Sequence, residues 1–259
     1  MTHQFRTRLV NGELLLGTMI TLSSPEVVEI LAGIGFDWLF IDAEHGSFAT
    51  RDMQHLLQVA GTNVPCLVRI SSGQEVPIKK ALDIGAAGII VPQVNSAEQA
   101  ETIVRWSKYA PQGDRGVGLG RAHGYGLRFQ EYVDTANENV TVVVQAEHIE
   151  AVENIEAIVR IPGIDAVLIG PYDLSASLGK MGQVDHPDVT AAIDHVTKAC
   201  REAGVRLGIF GVSAAAVQPY IAQGYTLIIA GVDAMMLGQG AKHILTALKP
   251  DLVDAGQAG

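Results

Sequence analysis

Eight short runs rich in Val, Ile and Leu, none with polar residues at alternate positions, constrain this chain more than any other feature. They occupy residues 14–20, 38–42, 65–70, 88–94, 140–146, 166–169, 206–210 and 227–230. A strand buried on one face alternates polar and apolar residues, whereas one buried on both faces reads as a continuous apolar run. Between the runs lie stretches of helical pattern near 51–60, 76–84, 149–160, 187–203, 213–222 and 241–248. Two further helices announce themselves by their starts. Ser23-Ser24-Pro25-Glu26 offers a capping serine and a proline for the first turn, and Asn95-Ser96-Ala97-Glu98 places Asn95 and Glu98 at capping-box spacing.

Strand and helix therefore alternate eight times, which predicts an α/β fold: a single-domain (β/α)8 TIM barrel spanning residues 1–259. The length of 259 residues suits one such barrel. A doubly wound open sheet is the alternative, but no Gly-x-Gly-x-x-Gly follows the first run. One segment breaks the rhythm. Residues 109–139 are glycine-rich around Gly113–Arg121 and helical in pattern over 127–136, so they read as a partly ordered flap over the site.

Charge narrows the partners. A formal net charge of −10 argues against nucleic acid, and there is no Lys/Arg cluster for an anionic membrane. No apolar run is long enough to span a bilayer, and residues 1–8 lack a signal-peptide pattern. Two cysteines, Cys66 and Cys200, are too few for a disulfide framework and read as small core hydrophobes, consistent with a cytoplasmic protein. An acidic protein that takes an anionic substrate needs a local positive centre.

Barrel chemistry lies at the carboxyl ends of the strands. There the runs end in Asp42-Ala43-Glu44-His45, in Arg69, in Gln145-Ala146-Glu147-His148 and in Gly170-Pro171-Tyr172-Asp173. Glu147 and Asp173 end adjacent strands and could share a cation whose other positions water and substrate oxygens fill, which suits Mg²⁺, Mn²⁺ or Co²⁺. Each could instead cap a helix or pair with Arg69. Arg69, at the end of an apolar strand, requires a carboxylate or an oxyanion; Glu44 and Glu147 are candidate partners. His45 beside Asp42 and Glu44 is a candidate proton carrier or a structural residue. None of the seven lysines ends a run, which disfavours a Schiff-base mechanism. Gly231, Gly238 and Gly240 offer a weak case for a phosphate cradle.

The strings Gly35-Phe36-Asp37-Trp38, Asp42-Ala43-Glu44-His45, Leu82-Asp83-Ile84-Gly85-Ala86, Tyr109–Gly116 and Gly170-Pro171-Tyr172-Asp173-Leu174-Ser175 resemble the HpcH/HpaI aldolase family, in order from about Leu16 to Leu248. The resemblance implies a class II aldolase that cleaves 4-hydroxy-2-oxo acids to pyruvate, or a related 2-oxo acid such as hydroxypyruvate, and an aldehyde. It puts the metal on Glu147 and Asp173, makes Arg69 the ligand of the substrate oxo group and makes His45 the acid–base residue. Gln145 would hydrogen-bond the 2-oxo acid. The turn Gly170-Pro171-Tyr172-Asp173 would hold its carboxylate on the N–H groups of Tyr172 and Asp173. Asp42 would orient His45, joined by Asp83 from a neighbouring subunit of a trimer-based hexamer. His148 stands where the family usually has Ser or Thr, and Ala43 where glycine is common. Two rivals follow from the same barrel: a citrate-lyase-like enzyme acting on CoA thioesters, and a non-catalytic 2-oxo acid binding protein.

Overall fold

In the computed structural model, which describes residues 4–249, the apolar runs form eight parallel strands hydrogen-bonded in sequence order into a closed barrel. In chain order the elements are α1 (Phe5–Val10), β1 (Leu15–Ile20), α2 (Pro25–Ile34), β2 (Trp38–Asp42), α3 (Thr50–Ala60), β3 (Cys66–Arg69), α4 (Glu75–Asp83), β4 (Gly88–Val91) and α5 (Ala97–Ser107). There follow a 3-10 turn (Arg121–Gly126), α6 (Phe129–Asn139), β5 (Thr141–Ala146), α7 (Ile149–Glu153), α8 (Ile155–Ile158), β6 (Ala166–Ile169) and α9 (Pro171–Ser177). The last are α10 (Pro187–Ala203), β7 (Arg206–Gly211), α11 (Ala214–Ala222), β8 (Leu227–Val232) and α12 (Asp233–Leu248). No described helix is long and apolar enough to cross a membrane.

Each strand serves two cores, one per face. Leu39, Ile41, Val68, Ile89, Val144 and Ile169 face outward into the layer under the helices. Trp38, Phe40, Leu67, Ile90, Val143, Leu168 and Ile229 fill the barrel interior. Gly17 leaves room there for Trp38: a Cβ on it would lie 2.6 Å from the indole. Helix α1 plugs the end where the strands begin, with Phe5 against Trp38 at 5.9 Å between ring centroids. Cys66 and Cys200 are buried and free, and burial pushes both thiols up to about 12.

Helix starts follow local chemistry, with corrections. Ser24 caps α2 as expected, accepting from the Val27 N–H. The cap of α5 is Ser96, which accepts from Gln99, and not Asn95. The expected helix at 149–160 breaks into α7 and α8 at Asn154. Helix α12 begins at Asp233 rather than 241, so Gly238 and Gly240 are interior to a helix and form no phosphate cradle.

Residues 109–139 do not form a flap over the barrel's own mouth. Their anchors all lie at the opposite rim, where helices finish and strands begin. Arg115 pairs with Asp83 at 2.7 Å, Arg121 donates to the Ile84 and Leu57 carbonyls, and Lys108 donates to those of Asn137 and Val140. The Arg115 guanidinium also lies over Tyr109, 4.6 Å from the ring centroid. A buried guanidinium that needs an acceptor, and carbonyls at helix ends that take these donors, hold the segment there.

Candidate active site

Period-two geometry builds the site. Trp38, Phe40 and then Asp42 point inward along β2; Leu67 and Arg69 do so along β3; Val143 and Gln145 do so along β5, with Glu147 next in phase. The interior thus changes from apolar to ionisable at the carboxyl ends. Parallel register then sets Asp42 directly beside Arg69.

Arg69 is gripped from one side. Its Nε and Nη2 donate to the two oxygens of Asp42 at 2.8 and 2.7 Å, and Glu44 lies 3.3 Å from Nε. Burial alone would lower the guanidinium pKa, but the Asp42 hydrogen bonds and the Asp42, Glu44 and Glu147 charges raise it on balance. Asp42 does not contact the His45 ring. Its Oδ1 accepts from the main-chain N–H groups of Glu44 and His45 at 3.2 and 3.3 Å, so it shapes the loop rather than the imidazole. The ring of His45 is 70% exposed, and its near partner is Glu44 at 3.8 Å. Burial raises the Glu44 pKa, against the pull of Arg69 and His45.

Across the mouth, Glu147 is buried. Its Oε1 accepts from the Gln93 N–H at 2.9 Å and its Oε2 from the Gln145 amide at 2.6 Å. Desolvation pushes its carboxyl up to about 7, aided by Asp173 and Glu44 and opposed by the Gln93 hydrogen bond and Arg69. Gly170 permits this packing, since a Cβ there would sit 2.9 Å from Oε2 of Glu147. Asp173 stands in the first turn of α9, and its carboxylate accepts no hydrogen bond among the described residues. Pro171 opens that turn, and Leu174 is the first residue to donate within it, to Gly170. The N–H groups of Tyr172 and Asp173 have no protein acceptor among the described residues. The Gln145 Oε1 is buried and also unpartnered.

Three carboxylates, Asp42, Glu44 and Glu147, therefore act on one guanidinium, and the Asp173 charge bears on Glu44 and Glu147. No group of three or more His, Cys, Asp or Glu side chains among the described residues makes a closed cation cage. Glu147 and Asp173 fit a divalent cation that keeps open positions, because repulsion between them and desolvation both favour added positive charge.

Glu44, a candidate partner of Arg69 from its place in the sequence, meets it at 3.3 Å and also lies 3.8 Å from the His45 ring. Gln93 carried no signal; it contributes a main-chain N–H from a left-handed conformation, φ 54°. Conversely, Asp83 is not at this mouth: it lies at the opposite rim, paired with Arg115. His148 has a structural job, its Nδ1 capping α7 through the Glu150 N–H as Ser or Thr would.

The HpcH/HpaI aldolase/citrate lyase model matches residues 16–239. The chain belongs to that family. It is accordingly an enzyme, a carbon–carbon lyase of the aldolase kind. The hydroxypyruvate/pyruvate aldolase of Cupriavidus necator is 38% identical over 257 residues, which are 98% of this chain and 95% of that protein. The 2-keto-3-deoxy-L-rhamnonate aldolase of Klebsiella pneumoniae is 38% identical over 254 residues, covering 97% and 95% of the two chains. Among solved structures, an HpcH/HpaI aldolase/citrate lyase family protein from Burkholderia cenocepacia superposes with a TM-score of 0.92 at 35% identity, over 95% of this chain and 99% of that one.

Proposed function

We propose that this aldolase cleaves 4-hydroxy-2-oxo acids to pyruvate, or a close 2-oxo acid such as hydroxypyruvate, and an aldehyde, with a divalent cation held by Glu147 and Asp173. The observation that carries the reading is the one-sided grip on Arg69. Its Nε and Nη2 are taken by Asp42, whereas Nη1 has no protein acceptor among the described residues and is left for a substrate oxygen. The aldolases of C. necator and K. pneumoniae support the substrate class by their names.

The bound cation, Mg²⁺, Mn²⁺ or Co²⁺, would supply Lewis-acid polarisation of the 2-oxo group and neutralise developing negative charge. Arg69 donates to the same oxo oxygen and to the enolate oxygen that replaces it. Gln145 holds the 2-oxo acid, and the N–H groups of Tyr172 and Asp173 hold its carboxylate, next to Gly170 and Pro171. His45 takes the proton of the 4-hydroxyl. The C3–C4 bond then breaks, its electrons pass to the C2 oxygen as an enolate, and the aldehyde leaves. Protonation at C3 yields pyruvate.

We also assign a homo-oligomer. Asp83 cannot reach its own mouth, so the role implied for it requires a neighbouring subunit. Residues 109–139 expose Val117, Leu119, Tyr125 and Leu127, and α12 exposes Leu237, Ile244 and Leu248, surfaces that a second copy would cover. A trimer-based hexamer fits both.

The test is pyruvate release from a racemic 4-hydroxy-2-oxo acid by metal-stripped protein, with and without Mn²⁺ or Mg²⁺. Activity restored by metal and lost in Glu147→Ala supports the reading. Full activity of stripped protein, or of Glu147→Ala, overturns it.

A further inference from the structure

A cavity of about 890 Å³ lies under residues 121–140 at the rim opposite the chemistry. A second one, about 520 Å³, opens beside the mouth between the loops that follow β3 and β4. Two residues of the site already described line it. Glu44 contributes the carboxylate that reaches Arg69, and Gln93 is the residue whose N–H holds Glu147. Gln93 achieves this with φ at 54°, a region non-glycine residues enter only when their surroundings hold them there. It therefore has its main chain committed to the catalytic side while its residue forms part of the cavity wall.

The rest of the wall has a clear chemical character. Ser71, Ser72 and Thr102 line it with hydroxyls that have no protein hydrogen-bond partner among the described residues, and Gln74 and Gln99 add amides. Ile103 and Trp106 give it an apolar flank. Its charged groups are both carboxylates, Glu44 and Glu98; no lysine or arginine lines it among the described residues. Unpaired hydroxyls beside amides suit a ligand rich in hydroxyls, while Glu98, which has no ion-pair partner among the described residues, repels an anionic end; Glu44 is already paired with Arg69. The volume falls within the usual range for small-molecule pockets and exceeds the need of a two-carbon aldehyde.

We propose that this cavity receives the aldehyde half of the substrate and selects an uncharged, polyhydroxylated acceptor over one ending in a carboxylate, sulfonate or phosphate. The proposal rests on the aldolase reading above, because a 2-oxo acid head at Arg69 and Glu147 is what sends a tail past Glu44 and Gln93.

The test uses full-length protein loaded with Mn²⁺ and follows pyruvate release from three 4-hydroxy-2-oxo acids. One carries a neutral hydroxylated tail, one a carboxylate-ended tail of the same length, and one a bare methyl. The expected kcat/KM for the hydroxylated substrate is at least about tenfold above that for the carboxylate-ended one, the scale of one unfavourable charge contact. Ser72→Ala and Thr102→Val should each lower the ratio of hydroxylated to methyl substrate by about three- to tenfold, the scale of one lost hydrogen bond. Glu98→Gln should narrow the gap to the carboxylate-ended substrate. Equal or better cleavage of the carboxylate-ended substrate, or ratios unmoved in both Ser72→Ala and Thr102→Val, overturns the assignment and leaves the aldolase reading standing. Pyruvate release from none of the three overturns both.

Discussion

Asp42→Ala should destabilise the protein far more than His45→Ala, although the two residues share one loop. Asp42 accepts both Arg69 hydrogen bonds, at 2.8 and 2.7 Å, and two main-chain N–H groups. Its removal strands a guanidinium that is 10% exposed, with Glu44 at 3.3 Å as the remaining partner. Breaking a buried ion pair from one side costs about 3–5 kcal/mol. Glu44 offsets part of this, and the lost main-chain contacts add about 1 kcal/mol, so about 3–4 kcal/mol is expected. His45, with its ring 70% exposed, should cost within about 0.5 kcal/mol. Urea unfolding of the wild type and both variants measures this. The same Asp42→Ala change made on an Arg69→Met background should cost less than about 1 kcal/mol or stabilise, because it removes the carboxylate that Arg69→Met leaves buried without its guanidinium. Asp42→Ala within 1 kcal/mol of wild type, or an equal cost on both backgrounds, would refute the buried-pair argument and return Asp42 to the service of His45.

Three further outcomes follow from the geometry. Gly170→Ala places a Cβ 2.9 Å from the Glu147 Oε2 and should weaken Mn²⁺ binding by about tenfold or more with the fold retained, read by titration calorimetry and circular dichroism. His148→Ala should cost about 1 kcal/mol through the lost cap of α7, while His148→Ser should restore most of it in urea unfolding. Burial lowers Lys108 to about 8 from its ordinary 10.5, so between those values the unfolded chain binds more protons than the folded one. The Lys108 contribution is then full above pH 10.5 and lost as pH falls to about 8. The stability difference between wild type and Lys108→Met should rise through that window in the wild type's favour; a flat difference would contradict it.

Much of the fold was legible because both faces of every strand are buried. Pure apolar runs leave little ambiguity in strand position, and all eight strands lie within a few residues of their expected limits. Helix α10 runs over Pro187–Ala203 as read, since Pro187 opens it and Gly204 ends it in a left-handed conformation. What escaped was short or hidden. Helices α1 and α9 have six and seven residues, too few to show periodicity. Gly238 and Gly240 disguised the first half of α12. In the site, residue types at strand ends were readable, but their partners were not. Nothing in the order Asp42-Ala43-Glu44-His45 says that Asp42 turns to Arg69, because that choice depends on the register of β2 against β3. Residues 109–139 were misplaced for a related reason: Arg115–Asp83 and Arg121–Leu57 are long-range contacts that no local pattern encodes.

In the proposed mechanism Glu147 and Asp173 hold a divalent cation under which pyruvate forms an enolate. Proton NMR of pyruvate in D₂O tests it without any aldehyde, by following exchange of the methyl protons. Metal-stripped wild type should exchange no faster than buffer, added Mn²⁺ or Mg²⁺ at a level compatible with the spectrum should restore exchange, and Glu147→Ala should stay inactive with metal present. Exchange at the same rate in the stripped protein, or undiminished exchange in Glu147→Ala, would contradict the claim.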